Sequence, residues 1–291
     1  MSTVERSRGD RHLLTAAWPS VAGQVAAISG FLDLHSCYII EFAQFDDELT
    51  HRFFARVVYR TDPARTPSLS RMRKAFQSTA DRFGPNWEMD PAARCRVLIM
   101  VSKFDHCLDD LLYRHRIGEL PIDITAVVSN HPDLKSLAEQ YGLSFIHLPI
   151  TPASKAEQES RLLDIVRKTG TELIVLARYM QVLSDTSCEQ FSGKIINIHH
   201  SFLPSFKGAK PYHQAHQRGV KLIGATAHYV TADLDEGPII EQLVERVDHT
   251  YLPEQLAVVG RDLESLALAR AVKLHVERRV FLNGNKTVVF R

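Results

Sequence analysis

From residue 96 onward the sequence alternates short apolar runs with amphipathic helical segments, and this alternation limits the fold more than any other feature. The first run, residues 96–101, has the sequence RVLIMV, and the helical segments after it end at Gly118, Gly142 and Gly170. Glycine often ends a helix because it adopts a left-handed backbone without strain. Strands that alternate with helices at this spacing predict a mostly parallel, Rossmann-like α/β sheet covered on both faces. Four further strands are predicted at residues 122–128, 145–148, 173–177 and 195–199.

Residues 1–90 follow a different plan, with strands and helices in the order β-α-β-β-α-β. The spacing of apolar side chains predicts strands at residues 11–17, 37–45, 52–59 and 87–89, and helices at residues 20–34 and 68–83. This order is typical of a ferredoxin-like α+β domain. Residues 90–94, DPAAR, are the predicted linker. We therefore predict two domains, residues 1–90 and residues 91–291.

Local signals predict where individual elements begin, turn or pack. Ser20 is predicted to cap the first helix, with Val21 on its apolar face. The apolar spacing after residue 253 predicts a long amphipathic helix to residue 280, whose apolar face includes Arg270. Asn283-Gly284 predicts a hairpin near the C-terminus, because both residues tolerate a positive φ.

Composition and charge exclude several classes of protein. The 291 residues are 45% hydrophobic and 24% charged with a net charge of +1, which is typical of a globular protein without a basic field for nucleic acid. The first residues lack the apolar core of a signal peptide, and no apolar run approaches the ~20 residues that span a bilayer. The four cysteines are scattered without a CxxC pair. No zinc or disulfide framework is therefore expected, and the cytoplasm is the predicted compartment.

Residues 194–242 hold the most concentrated set of reactive side chains. Asn197 and His199 stand two apart on a predicted strand, so both side chains point to the same face. An amide beside a protonated imidazole can stabilise an oxyanion, and a neutral imidazole can act as a general base. Asp233 and Asp235 follow the next apolar run, residues 223–230. We expect the carboxyl ends of both runs to meet at the ligand-binding edge of the sheet, which predicts acid–base chemistry on a carbonyl.

The sequence NIHHSFLPSFKG, followed by GATAHYV and DLDEGPII, resembles the folate-dependent formyltransferase domain. Enzymes of this kind move a formyl group from 10-formyltetrahydrofolate to an acceptor. The resemblance implies that Asn197, His199 and Asp235 are catalytic and that His228 supports them. It also implies that the pterin ring lies against two short segments, formed by Met180, Gln181, Val182 and Leu183 and by Thr231, Ala232, Asp233 and Leu234. No separate cofactor is implied, since the folate is the substrate.

One departure from the transferases indicates the reaction. Transferases of glycinamide ribonucleotide carry a Gly-rich loop after the first strand of this domain, whose backbone N–H groups bind phosphate. Here residues 102–108 are SKFDHCL, and bulky Phe104 with acidic Asp105 oppose phosphate binding. With FKGAKPYHQA, GRDLESLALARAV and GNKTVVF, this loop resembles the formyltetrahydrofolate deformylases. That resemblance implies hydrolysis of 10-formyltetrahydrofolate to tetrahydrofolate and formate, which balances one-carbon pools for purine synthesis. Two interpretations stay open for Lys207 and Lys210: one of them lies near the formate, or both belong to a solvated loop.

The N-terminal domain resembles the ACT module through WPSVA at residues 18–22 and FLDLHSCYIIEFAQ at residues 31–44. ACT domains often bind amino acids, so the resemblance implies an amino-acid effector and a homo-oligomer formed through this domain. Ligand-binding members carry a glycine in the turn after the first strand, and Gly23 is the nearest one here. Two interpretations stay open: a regulatory ligand site, or oligomerisation without a ligand.

Alternative interpretations stay open for the function and for single residues. One alternative is a formyltransferase that acts on an amine, and another is a non-catalytic amino-acid sensor. His213 and His216 have the H-x-x-H spacing of metal ligands but lack a third ligand nearby, so no metal site is predicted. Cys107 is either a packing residue or a reactive thiol. His200 is predicted to turn away from Asn197 and to be structural.

Overall fold

The computed structural model describes residues 10–151, 153–201 and 211–291 of the chain. The chain divides into two compact units. The first comprises the chain up to Ala93 together with Phe290–Arg291, and the second comprises Arg94–Val289. Among the described residues, every helix is too short or too polar to span a lipid bilayer.

The N-terminal unit contains four strands and two helices in the predicted order. They are β1 Arg11–Pro19, α1 Gln24–Leu34, β2 Tyr38–Asp47, β3 Arg52–Arg60, α2 Leu69–Ala80 and β4 Trp87–Pro91. The strands form an antiparallel sheet in the order β2-β3-β1-β4. Trp18 of β1 stacks on Phe76 of α2 with ring centroids 6.3 Å apart, which places the helix against the sheet. The ferredoxin-like prediction is confirmed.

The first helix begins one turn later than predicted. Gly23 occupies its N-cap position with a φ of 91°, a conformation that glycine adopts without strain. Ser20 contacts the carboxylate of Asp46 instead of capping the helix. Val21 therefore precedes the helix and is 52% exposed. The predicted roles of Ser20 and Val21 are wrong because the turn after β1 is longer than the sequence pattern indicated.

The second unit is an α/β domain around a seven-stranded sheet. Its strands are β5 Cys95–Val101, β6 Ile122–Ser129, β7 Phe145–His147, β8 Leu173–Leu176, β9 Ile195–His199, β10 Leu222–Tyr229 and β11 Ile239–Arg246. Its helices are α3 His106–Arg116, α4 Lys135–Gln140, α5 Lys155–Thr169, α6 Asp185–Gln190, α7 Pro211–Gln217 and α8 Pro253–Val276. The strand order is β11-β10-β9-β8-β5-β6-β7. The five strands from β9 to β7 are parallel and β10 and β11 are antiparallel, which confirms the mostly parallel sheet.

The central strand β5 is buried on both faces. Its side chains at Val97 and Ile99 belong to a core cluster with residues of α3 and α8. Leu98 and Met100 point the other way and pack in a second cluster with residues of α5. Burial of each such side chain contributes roughly 1.5–3 kcal/mol. The apolar run that predicted this strand is therefore explained by helices on both faces.

The long helix α8 runs without interruption through Gly260. Its buried positions include Leu256, Gly260, Glu264 and Leu268, which are four residues apart and form one stripe. Arg270 is exposed, so its predicted place on the buried face is wrong. The stripe brings the carboxylate of Glu264 into the interior, where an apolar pattern alone gave no reason to expect a charge.

A hairpin follows α8, as Asn283-Gly284 predicted. It consists of β12 Val280–Asn283 and β13 Lys286–Val289. Asn283 pairs with Lys286, so the two turn residues are Gly284 and Asn285. Gly284 has a φ of 65°, which is the positive value that this turn requires.

Candidate active site

Two neighbouring strands place Asn197, His199 and His228 together. β10 is antiparallel to β9, and its register sets His228 opposite Asn197 and Thr226 opposite His199. The expectation that the two strands end at the same edge of the sheet is therefore wrong. The chain reverses after β10, and this return segment, residues 230–238, brings Asp235 back to His199. The peptide N–H of Tyr229 closes the segment by donating to the carbonyl of Pro238 at 2.9 Å.

Gly237 makes this close return possible. A Cβ atom at this position would lie 1.7 Å from the carbonyl oxygen of Tyr229. That overlap involves backbone, so a side chain here would push the return segment away from β10. The glycine of the D-E-G-P sequence is thus needed to hold Asp235 in the site.

Asp235 lies between two imidazoles. Its Oδ2 atom is 3.2 Å from Nδ1 of His199, and its Oδ1 atom is 3.7 Å from Nε2 of His228. The His199 imidazole, which faces one carboxylate oxygen, holds the pKa of the Asp235 carboxyl well below its usual value. The carboxylate is therefore ionised at neutral pH, and it favours a proton on the facing nitrogen of His199.

The hydrogen bonds of His228 fix its tautomer. Its Nδ1 atom lies 2.9 Å from the carbonyl oxygen of Tyr229, which only accepts, so Nδ1 carries a hydrogen. The Nε2 atom of the neutral ring then accepts from Nδ2 of Asn197 at 3.3 Å. Within the described part of the chain, the second N–H of the Asn197 amide has no partner and can donate to a ligand. His228 thus orients the amide.

The other ring nitrogen of His199 is the candidate proton acceptor. With Nδ1 facing Asp235, Nε2 bears the lone pair of the neutral ring. This atom is buried and has no hydrogen-bond partner among the described residues. A general base near Asn197 is the arrangement that attack of water on a carbonyl requires.

All of the predicted site residues line one cavity of about 220 Å³. They comprise the catalytic and supporting residues, Asn197, His199, His228 and Asp235, and the two predicted folate segments, Met180 to Leu183 and Thr231 to Leu234. Met180, Val182 and Leu234 are more than half exposed, which leaves apolar surface for a flat ring. The geometry brings together the catalytic, supporting and folate-binding residues that the resemblance named.

The loop that departs from the transferases supports one wall of this cavity. Ser102, at the end of β5, is buried, and its hydroxyl donates to Oδ1 of Asn130 at 2.7 Å. The same hydroxyl accepts the peptide N–H of Met180 at 3.0 Å. Phe104 lies under the guanidinium of Arg178, 5.3 Å from ring centroid to Cζ. The loop therefore holds the segment at Met180.

Comparison with known proteins identifies the family. The formyl transferase family model matches residues 95–272. The formyltetrahydrofolate deformylase of Corynebacterium sp. strain P-1 is 54% identical over 282 residues, covering 97% of this chain and 98% of that protein. That of Bacillus subtilis strain 168 is 44% identical, covering 97% and 94%. This chain belongs to the formyltetrahydrofolate deformylase family.

Solved structures agree with this deformylase assignment. The crystal structure of formyltetrahydrofolate deformylase from Burkholderia mallei ATCC 23344 is 58% identical, has a TM-score of 0.93, and covers 97% of this chain and all of that one. The glycinamide ribonucleotide transformylase 1 from Symbiobacterium toebii is 28% identical with a TM-score of 0.64, covering 68% of this chain and 95% of that one. The deformylase likeness thus extends over nearly the whole chain and the transferase likeness over about two thirds.

Arg178 and His200 also line the cavity. The Arg178 guanidinium donates from an Nη atom to Nδ1 of His200 at 2.8 Å. His200 therefore does not turn away from the site, since its ring stacks on that of His199 with centroids 5.0 Å apart. Arg178 lies two residues after β8 and His200 directly after β9, and this position at strand ends was the sequence signal for them.

The remaining sequence candidates lie apart from the reacting groups or outside the described residues. Cys107 is fully buried, and burial raises the pKa of its thiol, which favours the packing role. Among the described residues, one group with metal-ligand spacing exists, formed by His106, Cys107 and Glu264, and it does not include His213 or His216. Lys207 and Lys210, the candidate neighbours of formate, lie outside the described residues.

Proposed function

We propose that this chain hydrolyses 10-formyltetrahydrofolate to tetrahydrofolate and formate. The observation that carries the proposal is the meeting of Asn197, His199 and Asp235 around a single cavity with an apolar wall, in a chain of the deformylase family. The folate is the substrate, and the steps below require no further cofactor.

We assign the first proton transfer to His199. An ionised carboxylate whose pKa is lowered is a poor proton acceptor, so Asp235 is a weak general base. The Nε2 atom of His199 has a lone pair and no partner among the described residues. Asp235 then holds Nδ1–H of His199 and balances the positive charge that the ring acquires.

Hydrolysis proceeds through a tetrahedral intermediate. A water gives its proton to Nε2 of His199 as its oxygen bonds to the formyl carbon, and the C=O electrons move to oxygen. The second N–H of Asn197 donates to this oxyanion, a role worth about 10²–10³ in rate. The C–N bond then breaks as N10 takes up the proton from His199. The formic acid that forms loses its remaining proton to solvent, and formate leaves with tetrahydrofolate.

The main alternative, transfer of the formyl group to an amine, requires an acceptor site. The candidate position for that site is the loop after β5, where Phe104 and Ser102 pack against Arg178 and Met180. These contacts occupy the position of an acceptor site with protein side chains. Without room for an amine acceptor, water is favoured as the nucleophile.

Release of formate without an acceptor tests this proposal. Purified protein is mixed with 10-formyltetrahydrofolate alone, and formate is followed by a coupled enzymatic assay. We expect stoichiometric tetrahydrofolate and formate. Formate or formylated product that forms only after an amine is added would establish the transferase alternative.

The wider role follows from the reaction. Hydrolysis returns tetrahydrofolate and formate to the one-carbon pool, and we assign the chain to balancing that pool for purine synthesis in the cytoplasm. The partner is the folate, and the net charge of +1 supports the absence of a nucleic-acid partner.

The N-terminal unit is the proposed regulatory and oligomerisation domain. A cavity there is lined by residues 20–26 together with Asp46 and Phe53. It surrounds the turn between β1 and α1, where the ACT resemblance places an effector. We assign to this cavity an amino acid, whose ammonium group would pair with the carboxylate of Asp46. A homo-oligomer formed through this unit completes the proposal.

A further inference from the structure

A buried carboxylate stands behind the cavity. The Glu264 side chain of α8 is 2% exposed, and a charge at such depth requires partners. It accepts from the Tyr212 hydroxyl at 2.9 Å and lies 2.9 Å from Nε2 of His106. Its Oε2 atom is also 3.2 Å from Nε of Arg178, an ion pair that lacks the alignment of a hydrogen bond. The carboxylate thus serves as an anchor for three side chains from different elements.

An arginine, and not a metal ion, satisfies this carboxylate. His106, Cys107 and Glu264 have the spacing of metal ligands. The guanidinium of Arg178, however, contacts the Glu264 oxygen that also faces His106. A divalent cation at this point would stand beside a fixed positive charge. The geometry therefore supports an ion pair with Arg178 as the role of the Glu264 carboxylate.

Arg178 in turn restrains His200 through a hydrogen bond. Its backbone has a φ of 64°, an unusual conformation for an arginine, and its side chain is only 11% exposed. Phe104 covers its guanidinium. Because a guanidinium only donates, the Nδ1 atom of His200 at 2.8 Å must be the acceptor. His200 is thereby held as the tautomer with hydrogen on Nε2.

His200 in turn lies flat against the proposed base. The His199 and His200 rings are 5.0 Å apart and inclined by 20°. A positive charge on His200 would oppose the proton that His199 takes up during hydrolysis. The state of His200 therefore matters to the reaction even without contact with the substrate.

We propose that Arg178, anchored by Glu264, is a positioning residue that keeps His200 uncharged, so that His199 alone takes up the proton of the attacking water. This inference rests on the proposed hydrolysis for its kinetic consequence. The tautomer and charge of His200 do not depend on that function, and they can be measured separately.

The charged surroundings of His200 agree with this role. Burial, followed by the positive charges of Arg178 and His199, lowers the pKa of His200 to about 4, against smaller opposing effects of Glu264 and Asp235. Tyr212 of α7 faces the same ring at 6.4 Å, and burial raises the pKa of its hydroxyl, so it stays neutral. Tyr212 therefore supplies no negative charge that would favour protonation of His200.

Nuclear magnetic resonance of ¹⁵N-histidine-labelled protein tests the tautomer directly. The His200 signals are assigned as those lost in His200→Asn. We expect a neutral ring with hydrogen on Nε2 from pH 8 down to pH 5.5. A ring that is charged at pH 7, or that carries hydrogen on Nδ1 alone, would overturn the inference whether or not the protein hydrolyses folate.

The pH profile of kcat/KM for formate release tests the consequence. Arg178→Met frees Nδ1 of His200 and removes a neighbouring positive charge, so the pKa of His200 should rise from about 4, while burial still holds it below the ordinary value. We expect the acidic limb of the profile to move to higher pH by about one unit, the scale of one nearby charge. Glu264→Gln, which loosens the anchor, should shift the acidic limb in the same direction by less.

A double variant separates this effect from damage to the fold. Asn at position 200 can accept from Arg178 in the single variant, but it cannot ionise. In Arg178→Met/His200→Asn, the added shift of the acidic limb should therefore be lost. Arg161→Met, at an exposed position of α5, is the matched control and should keep the parental profile. The proposal would be contradicted if the acidic limb of the kcat/KM profile were unchanged in both Arg178→Met and Glu264→Gln. A shift of that limb that persists in the double variant would also contradict it. A parent that releases no formate would remove the proposed function and leave the tautomer measurement as the test.

Discussion

Single residues in unusual backbone conformations flank the reacting groups. Asp235 has a φ of 59° and Arg178 a φ of 64°. The left-handed region costs an ordinary residue about 1–2 kcal/mol, and aspartate less because its short side chain bonds locally. Two such positions on either side of one cavity indicate that the surrounding contacts hold these side chains in place. The site is therefore preorganised before the substrate enters.

Replacement of Asp235 by asparagine should separate catalysis from binding. Asparagine also accepts a positive φ, so the return segment should keep its shape. The amide cannot balance a charged His199, and we expect kcat to fall by about 10²–10⁴, the range for acid–base groups. Folate affinity, measured by calorimetry, should change little. Asp262→Asn, an exposed change of the same chemistry in α8, is the control, and near-parental turnover in Asp235→Asn would remove that carboxylate from the mechanism.

At the scale of elements, the close packing of α7 on α8 depends on one glycine. A Cβ at Gly260 would lie 1.9 Å from the hydroxyl oxygen of Tyr212. That hydroxyl donates to Glu264, one turn further along α8. Because Gly260 has no side chain, the Tyr212 hydroxyl can reach the buried Glu264 carboxylate. The same glycine lowers the helix propensity of α8.

Gly260→Ala should destabilise the protein although alanine is the better helix former. The added methyl group displaces Tyr212 from Glu264, and overpacking of this kind costs roughly 1–3 kcal/mol. Gly30→Ala in α1 is the matched control, because a Cβ there meets no atom within 4 Å. Alanine at that position should stabilise its helix by up to about 1 kcal/mol. Thermal unfolding of both variants should show changes of opposite sign in the free energy of unfolding. A Gly260→Ala protein as stable as the parent would contradict the packing argument.

Over the whole molecule, the sequence predicted what depends on local pattern. The period of two set Asn197 and His199 on one face, and alternation of strands and helices predicted the mostly parallel sheet. The direction of β10 was not predictable, because an apolar run does not state which way its strand pairs. Glu264 was missed for a related reason. Its role depends on contacts with Arg178 and His106, which are distant in sequence and approach it only after folding.

The N-terminal unit offers a test at the scale of the whole chain. If its cavity binds an amino acid, formate release by the second unit should change in a saturable way as that amino acid is added. Asp46→Asn removes the carboxylate proposed for the ammonium group and should raise the concentration required by roughly 2–5-fold, the effect of an exposed ion pair. Glu48→Gln, an exposed change in the turn after β2, should leave that concentration unaltered. Equal rates with and without each common amino acid would limit this unit to oligomerisation.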